Sequence, residues 1–555
     1  MKVDEPAKPF EKFTLTRLTN NGKVSAAAVS PDGKYISYVL RETEGNSLWL
    51  QQVGTASSVL LLPPVKAQFY AMTFTPDGSH IVYNLFGGDN SDPQFFRIPS
   101  LGGVSERMPN VGASYIAFSP AGKDIAYAQS DSAERQNYLM IADADGGNKR
   151  QIAAKSYPNT FETEVPVVSW TPDGKTIVCL VNNADAEATY SSIVGIDVAD
   201  GSERPLSDQR WYDVFSIRWS RGGGFLVSAS RKISASNQVR LLSYPDGEIR
   251  QITNDLSSYN ALSATADGSA FISIQTNTSS GIYVGGTGAD ADEFKEIVSE
   301  TGGLNPVVWA PNGKVVFRSN KDGVSNLWTV DADGSGWRQL TKDAQVDGRH
   351  LCMPPDRRYI VFGSWRSGKS NIWRVDADGG NLTQLTNGEG ELYPSCSPDN
   401  RTVVYQRGFS TAPMLWKIDI EGGEPVQLTD FYAKWNAISN DGRISYFYMD
   451  DGKWRLGIIP REGGRVLQFL DVPVTLNESP VRWSADDSAL IYISTVGNVG
   501  NIQSLPLDGS QPYPLTNFKS HGLESFALSP DHKQLAVVRV SRVSDVVLIR
   551  NEVLP

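Results

Sequence analysis

Histidine and cysteine are scarce in this 555-residue chain, with 4 and 3 copies. So few histidines leave little material for a metal centre, which draws three or four ligands from the protein. The cysteines, Cys179, Cys352 and Cys396, are odd in number and widely spaced, so they imply no disulfide framework. Basic charge is also short: 51 Lys and Arg against 62 Asp and Glu give a formal net charge of −11. Nucleic-acid binders concentrate a basic face, so nucleic acid is not an expected partner. The longest apolar runs are of the Val59-Leu60-Leu61-Leu62 kind, far short of a bilayer span, so no direct membrane insertion is expected. The stretch from Met1 to Glu11 has no apolar segment of signal-peptide length, and the chain as it stands is expected to be soluble. Helical periodicity is missing, as are the G-x-S-x-G elbow of hydrolases and the H-R-D and D-F-G strings of kinases.

What is present is a repeat. The composition, 40% hydrophobic with 50 Gly and 31 Pro, supports a real core; this length would mean several domains unless one architecture recurs. Twelve anchors do recur, from Ser30-Pro31-Asp32-Gly33 through Thr75-Pro76-Asp77-Gly78 and Thr171-Pro172-Asp173-Gly174 to Ser529-Pro530-Asp531-His532. Their mean spacing is about 45 residues, the period of a propeller blade. Each anchor suits a hairpin turn: Pro presets φ for the first central position, and Asp or Asn followed by Gly tolerates what comes next. A bulky residue stands just ahead of it, as in Phe74, Trp170, Trp219, Trp309 and Trp483, and a second strand such as Tyr359-Ile360-Val361-Phe362 follows. A third strand (Asn326 to Val330), a second polar turn (Asp331-Ala332-Asp333-Gly334) and a fourth strand (Gln339-Leu340-Thr341) complete the unit.

The pattern predicts an all-β fold: a β-propeller of twelve four-stranded blades, as two six-bladed propellers in tandem. A single continuous ring and a five-plus-seven split are the alternatives. Thr14 to Thr19 reads as a fourth strand without its own blade, and Asp545 to Ile549 as a third strand with nothing after it. Mutual completion of blades would remove the exposed sheet edges that such orphans leave. The glycine-rich stretch from Gly285 suggests the break, so the expected division is a linker over 1–11, a first propeller over 12–289 and a second over 290–555.

The Ser-Pro-Asp-Gly hairpin, the Asp-Ala-Asp-Gly-Gly turn and the Gln-Leu-Thr strand resemble the WD40-like propeller repeat of the TolB family, over about residues 12 to 552. Segments such as Gln209-Arg210-Trp211, Arg250 to Leu256, Asn517 to Ser520 and Ser544 to Ile549 are similar to the C-terminal propeller region of bacterial membrane-anchored serine/threonine kinases and winged-helix regulators, notably in Acidobacteria. That resemblance implies a sensing or binding region working outside the cytoplasmic membrane, in the periplasm. Neither a kinase domain nor a membrane helix is present in this chain.

Two motif matches give way to simpler readings. Gly363 to Ser370 fits G-x-x-x-x-G-K-[ST], but Asn371 to Val375 after it reads as a strand, whereas phosphate binding requires a helix N-terminus there. The Asp-x-Asp-Gly turns at Asp143, Asp331 and Asp376 lack the Glu that closes a calcium loop. His350 with Cys352 offers two ligands where zinc needs more, and Cys396 and Cys179 read as core residues.

Binding is expected on the face opposite the tight turns, where the loops vary most. The candidate ligand-contacting residues there are Tyr157, Phe161, Trp211, Tyr212, His350, Trp435 and His521. No catalytic residue, cofactor or metal is expected. The favoured role is a non-catalytic module recognising a protein, peptide or cell-envelope glycan, as the sensor of a signalling protein of serine/threonine kinase type. The alternative is a metal-dependent lyase or hydrolase acting at a propeller mouth.

Overall fold

The computed structural model describes residues 9–552 except 56, 88–89, 110, 132–135, 157–158, 185–188, 222, 231–235, 289–292, 311, 389, 409–412, 451–452, 472–480 and 497–498. Among the described residues, the named elements are all strands, from Phe13–Arg17 to Gln534–Asn551. The strands follow one another in four-stranded antiparallel sheets, such as Val24–Val29, Tyr35–Glu42, Gly45–Gln52 and Ser58–Val65. The chain is an all-β propeller protein with twelve such blades.

Local chemistry explains the hairpins. In the first, the Gly33 amide donates to the Ser30 carbonyl (2.9 Å) with Gly33 at φ 71°. The Ser30 hydroxyl donates to Asp32 Oδ1 (2.7 Å) and accepts from the Tyr35 amide (3.0 Å), while Asp32 Oδ1 also accepts from the Lys34 amide (3.1 Å). Thr171 and Asp173 repeat this arrangement, as do Ser529 and Asp531. These bonds to the charged form hold the Asp32, Asp173 and Asp531 carboxyls below their ordinary range.

The chain forms two compact units, residues 1–277 with 542–555, and residues 278–541. Each holds six blades, and the core is divided among the blade interfaces. In the first unit Ala26, Leu48, Phe74 and Ile81 join the first and second blades, and Val24, Ile36, Ile272 and Val546 join the first to the sixth. In the second unit Val308, Leu327, Ile360 and Phe362 join the first and second blades, and Trp309, Phe317, Ile282 and Val538 join the first to the sixth. Such interfaces succeed one another around each unit, so each blade packs its faces on its neighbours.

The expected boundary at 289/290 is displaced, because two long strands each serve both units. Ala270–Gly286 pairs with Ser258–Ala264 up to Thr276, then from Ser279 with Lys295–Thr301. Gln534–Asn551 pairs with Gly522–Leu528 up to Val540, then from Val547 with Phe13–Arg17. The terminal strand 13–17 and residues 295–301 therefore complete the two sixth blades, while the third strands are exchanged between the halves of the sequence. The stretch 1–11 is not wholly a linker: Phe10 is 1% exposed, packs edge-on against Phe271 (5.1 Å) and donates its amide to Asn551 Oδ1 (3.2 Å).

Cysteine also departs from expectation. Cys352 and Cys396, in the first strands of adjacent blades, form a disulfide with Cα atoms 5.7 Å apart. Cys179 is a buried free thiol whose pKa burial raises. Gly363 to Ser370 is a strand end and a turn leading into Asn371–Asp376, so no helix follows to cradle phosphate.

Candidate functional site

The first strands succeed one another around the axis of each unit, and register shifts interrupt them in eight blades among the described residues. A bulge adds residues to one strand and re-aims their side chains. Ala261, Tyr393 and Trp435 sit in such bulges with φ of 54–55°. The bulges lie toward the start of each first strand, away from the Ser-Pro-Asp-Gly hairpin.

In the first unit this end gathers groups from all six blades. Arg41 closes the second strand of the first blade, its amide donating to the Lys23 carbonyl (3.0 Å). Tyr70 lies in the bulge of the second blade, Tyr115 just before the first strand of the third, and Glu162 and Glu164 just after Thr160–Phe161 in the fourth. Arg218 is in the first strand of the fifth blade and Arg542 at the start of the strand portion that serves the sixth. These groups feel one another electrostatically. Tyr115 senses Tyr70, Glu162, Glu164 and Arg218; Tyr70 senses Glu164 and Arg41; and Arg41 senses Arg542. Burial dominates each shift, raising both tyrosines, lowering Arg41 and bringing Arg218 down to about 10. Arg41 and Tyr70 still meet solvent, so these are recessed groups rather than core groups.

A scaffold of amides holds the recess. Asn84 is fully buried; its Oδ1 accepts from the Tyr70 (3.1 Å) and Ala71 (2.7 Å) amides, and its Nδ2 donates to the Ser114 carbonyl (2.5 Å). One side chain thus sets both tyrosines. Asn182 Nδ2 donates to Glu162 Oε2 (2.7 Å), and its Oδ1 accepts from the Ser191 hydroxyl (2.8 Å). The Ser191 backbone exchanges two hydrogen bonds with Trp211, at 2.8 and 2.9 Å. Arg218 Nη1 donates to the Ile217 (2.9 Å) and Pro166 (3.2 Å) carbonyls.

The residues expected from sequence to touch a ligand fall in different places. Phe161 (1% exposed), Trp211 (1%) and Trp435 (9%) are core residues, packed in the clusters between blades. Tyr212 is 43% exposed, and Tyr157 lies outside the described residues. In the second unit, His350 is buried within the bulge of the second blade with Nδ1 2.9 Å from the Pro394 carbonyl. His521 is exposed, its Nδ1 2.8 Å from the Ser520 hydroxyl. Among the described residues no group of three or more His, Cys, Asp or Glu side chains converges as a metal site.

Arg218 was not a candidate from sequence, nor was Arg482 of the second unit. A signal existed, because Ile217-Arg218-Trp219-Ser220 and Val481-Arg482-Trp483-Ser484 repeat one string at the same point of the fifth blade in each unit.

Residues 290–471 match the TolB beta propeller domain family. No curated protein matches the chain. Among solved structures, a putative TolB from Agrobacterium tumefaciens is similar at 17% identity and TM-score 0.40, over 48% of this chain and 99% of its own. TolB from Acinetobacter baumannii aligns at 13% identity and TM-score 0.24, over 84% and 83%. An oligogalacturonate lyase in complex with manganese aligns at 12% and 0.30, over 72% and 98%. No helix among the described residues is long and apolar enough to cross a membrane.

Proposed function

We propose that this chain is a binding module whose first unit takes a protein or peptide ligand, or an envelope glycan, at the recess formed by Arg41, Tyr70, Tyr115, Glu162, Glu164 and Arg218. The observation that carries this reading is the convergence of charged and aromatic groups from all six blades on one end of one axis. Arginines of this kind pair with ligand carboxylates, the glutamates with amines or amide N–H groups, and the tyrosines offer flat apolar area with a polar tip. Such a mixed, partly buried set suits peptide-like chemistry better than a purely apolar ligand. The Cys352–Cys396 disulfide supports work in an oxidising compartment outside the cytoplasm. The likeness in sequence to the propeller regions of membrane-anchored kinases extends the proposal to the sensor of a bacterial signalling protein.

The test is selection of peptides from a display library on the wild-type protein, followed by calorimetry of the selected peptides. The double variant Tyr70→Ala/Tyr115→Ala and Arg218→Gln should each weaken them tenfold or more, about 1.4 kcal/mol or above. Equal affinity in folded variants would place binding elsewhere and overturn the proposal. Trp211 is unsuited to this test, since its burial makes its removal a test of folding.

A further inference from the structure

In the second unit, two guanidinium groups have opposite surroundings. Arg318 senses the acids Asp347, Glu524 and Glu300, and its Nε donates to the Ser325 hydroxyl (2.5 Å). Arg482, in the first strand of the fifth blade, has no such company. Its neighbour Trp483 turns into the core and donates its indole N–H to the Ala437 carbonyl (3.1 Å). Alternation along the strand sends Arg482 to the other face, where Nε donates to the Phe526 carbonyl (3.0 Å) and the guanidinium stands 5.7 Å from the Phe526 ring. Nη2 is buried without a hydrogen-bond partner. Among the described residues no carboxylate offsets the charge; burial alone acts on it, lowering its pKa to about 10. Leaving a desolvated cation and a buried N–H unmatched is costly, and an anion is the group that relieves both.

His350 belongs to the same place. Val346 pairs with Ser364 and Leu351 with Phe362, so five steps on one strand face two on the other, and residues 347–350 loop out of the ladder. The imidazole senses the Arg482 charge. Those residues sit in the second and fifth blades, which are opposite in a ring of six, so that electrostatic influence is directed across the axis. The Pro394 carbonyl can only accept, which assigns the proton to Nδ1 and leaves Nε2 as an acceptor.

We propose that the axis of the second unit is a binding site for an oxyanion that carries its own hydroxyl: the anionic oxygens pair with Arg482 and the hydroxyl donates to His350 Nε2. Hydrogen phosphate and 2-hydroxycarboxylates share this chemistry, whereas acetate lacks the donor. The site lies in the second unit and stands independently of the reading of the first.

Calorimetry on the full chain at low ionic strength and pH 7, with inorganic phosphate, lactate and acetate as probes, tests this. Saturable binding of phosphate or lactate is expected, with acetate weaker by about tenfold and Arg482→Gln losing about tenfold or more. The stronger of the first two identifies the source of the oxyanion. Absence of binding by both, equal binding of acetate, or unchanged affinity in a folded Arg482→Gln protein would overturn the proposal. A second measurement needs no folded Arg482 variant: the His350 ring resonance of the wild type, assigned by its loss in His350→Asn, should shift on adding the stronger probe. A resonance that stays put under saturating probe overturns the site equally.

Discussion

Cys352 and Cys396 are 44 residues apart, one repeat, and their sulfurs join the first strands of neighbouring blades. A bond across that blade interface closes a loop of one repeat in the unfolded chain, which is worth about 2–4 kcal/mol. Replacing both cysteines by alanine should lower the unfolding free energy of the second unit by that amount and leave the first unit unchanged. Denaturant unfolding of the double variant, with and without reductant, checks this; sensitivity of the variant to reductant would show that the bond is not the one described.

Asn84 should control the recess of the first unit without touching a ligand. Asn84→Leu removes an acceptor from two amides and a donor from the Ser114 carbonyl, leaving three backbone groups short of a partner. Each is worth about 1–3 kcal/mol when buried, so a loss of several kcal/mol is expected. Urea unfolding measures that loss. Asn84→Asp keeps the acceptor alone and should lose less stability, while still weakening peptides selected on the wild type.

His350 gives the second unit a dependence on pH. Burial, and then the Arg482 charge, lower its pKa from 6.5 to about 4. Between those values the unfolded chain takes up a proton that the folded chain refuses, so stability present above pH 6.5 is lost as the pH falls toward 4, by about 3 kcal/mol in all. His350→Asn should flatten the difference between denaturation midpoints at pH 7 and pH 4.5. An equally steep variant would assign the slope to other groups.

The hairpin aspartates act in a lower window. Asp173 accepts from the Thr171 hydroxyl and the Lys175 amide, and those bonds hold its pKa below the ordinary 3.8. Its contribution is present above that ordinary value and lost as the pH falls through the lower folded value. Asp173→Asn keeps an acceptor without the charge, so wild type and variant should converge in stability as the pH drops below about 4. Thermal melts from pH 5 to pH 2.5 would reveal a constant gap if the charge were immaterial.

Removing residues 542–555 should unfold the first unit and spare the second. Val546 and Leu548 pack between its first and sixth blades, Val547 and Ile549 between its fifth and sixth, and Phe13–Arg17 has its ladder partner there. Limited proteolysis of the truncated chain should yield a resistant fragment beginning near residue 278; resistance of the first unit would contradict the strand assignment.

Much of this architecture was legible because its determinants are local. A Ser-Pro-Asp-Gly turn specifies its own hydrogen bonds within five residues, so hairpins, blade count and all-β class follow from reading along the chain. The orphan strands near residues 14 and 545 were visible for the same reason. Their exchange with Ala270–Gly286 was not, because the third strands of the two sixth blades obey one local pattern, and only long-range pairing separates them. The Cys352–Cys396 pair carried a usable signal in a spacing equal to the repeat. The aromatics misled: Phe161, Trp211 and Trp435 stand in segments that look like loops, yet those segments fold into the interfaces between blades. Arg218 and Arg482 were overshadowed by the tryptophans beside them, and the significance of an arginine lies in which partners it lacks, a property of three dimensions.

The two shared strands also set an order of events during synthesis. Residues 278–541 are an insertion between the two parts of the first unit, so they can emerge from the ribosome and close their own ring while the first unit still awaits residues 545–551. Until then Phe13–Arg17 lacks its ladder partner, and an open blade edge made early must be protected until residues 547–551 are added. The first unit is thus begun first and finished last. Its completion reports that the second has been made, so the recess spanning all six of its blades exists only once residues 545–551 have been added.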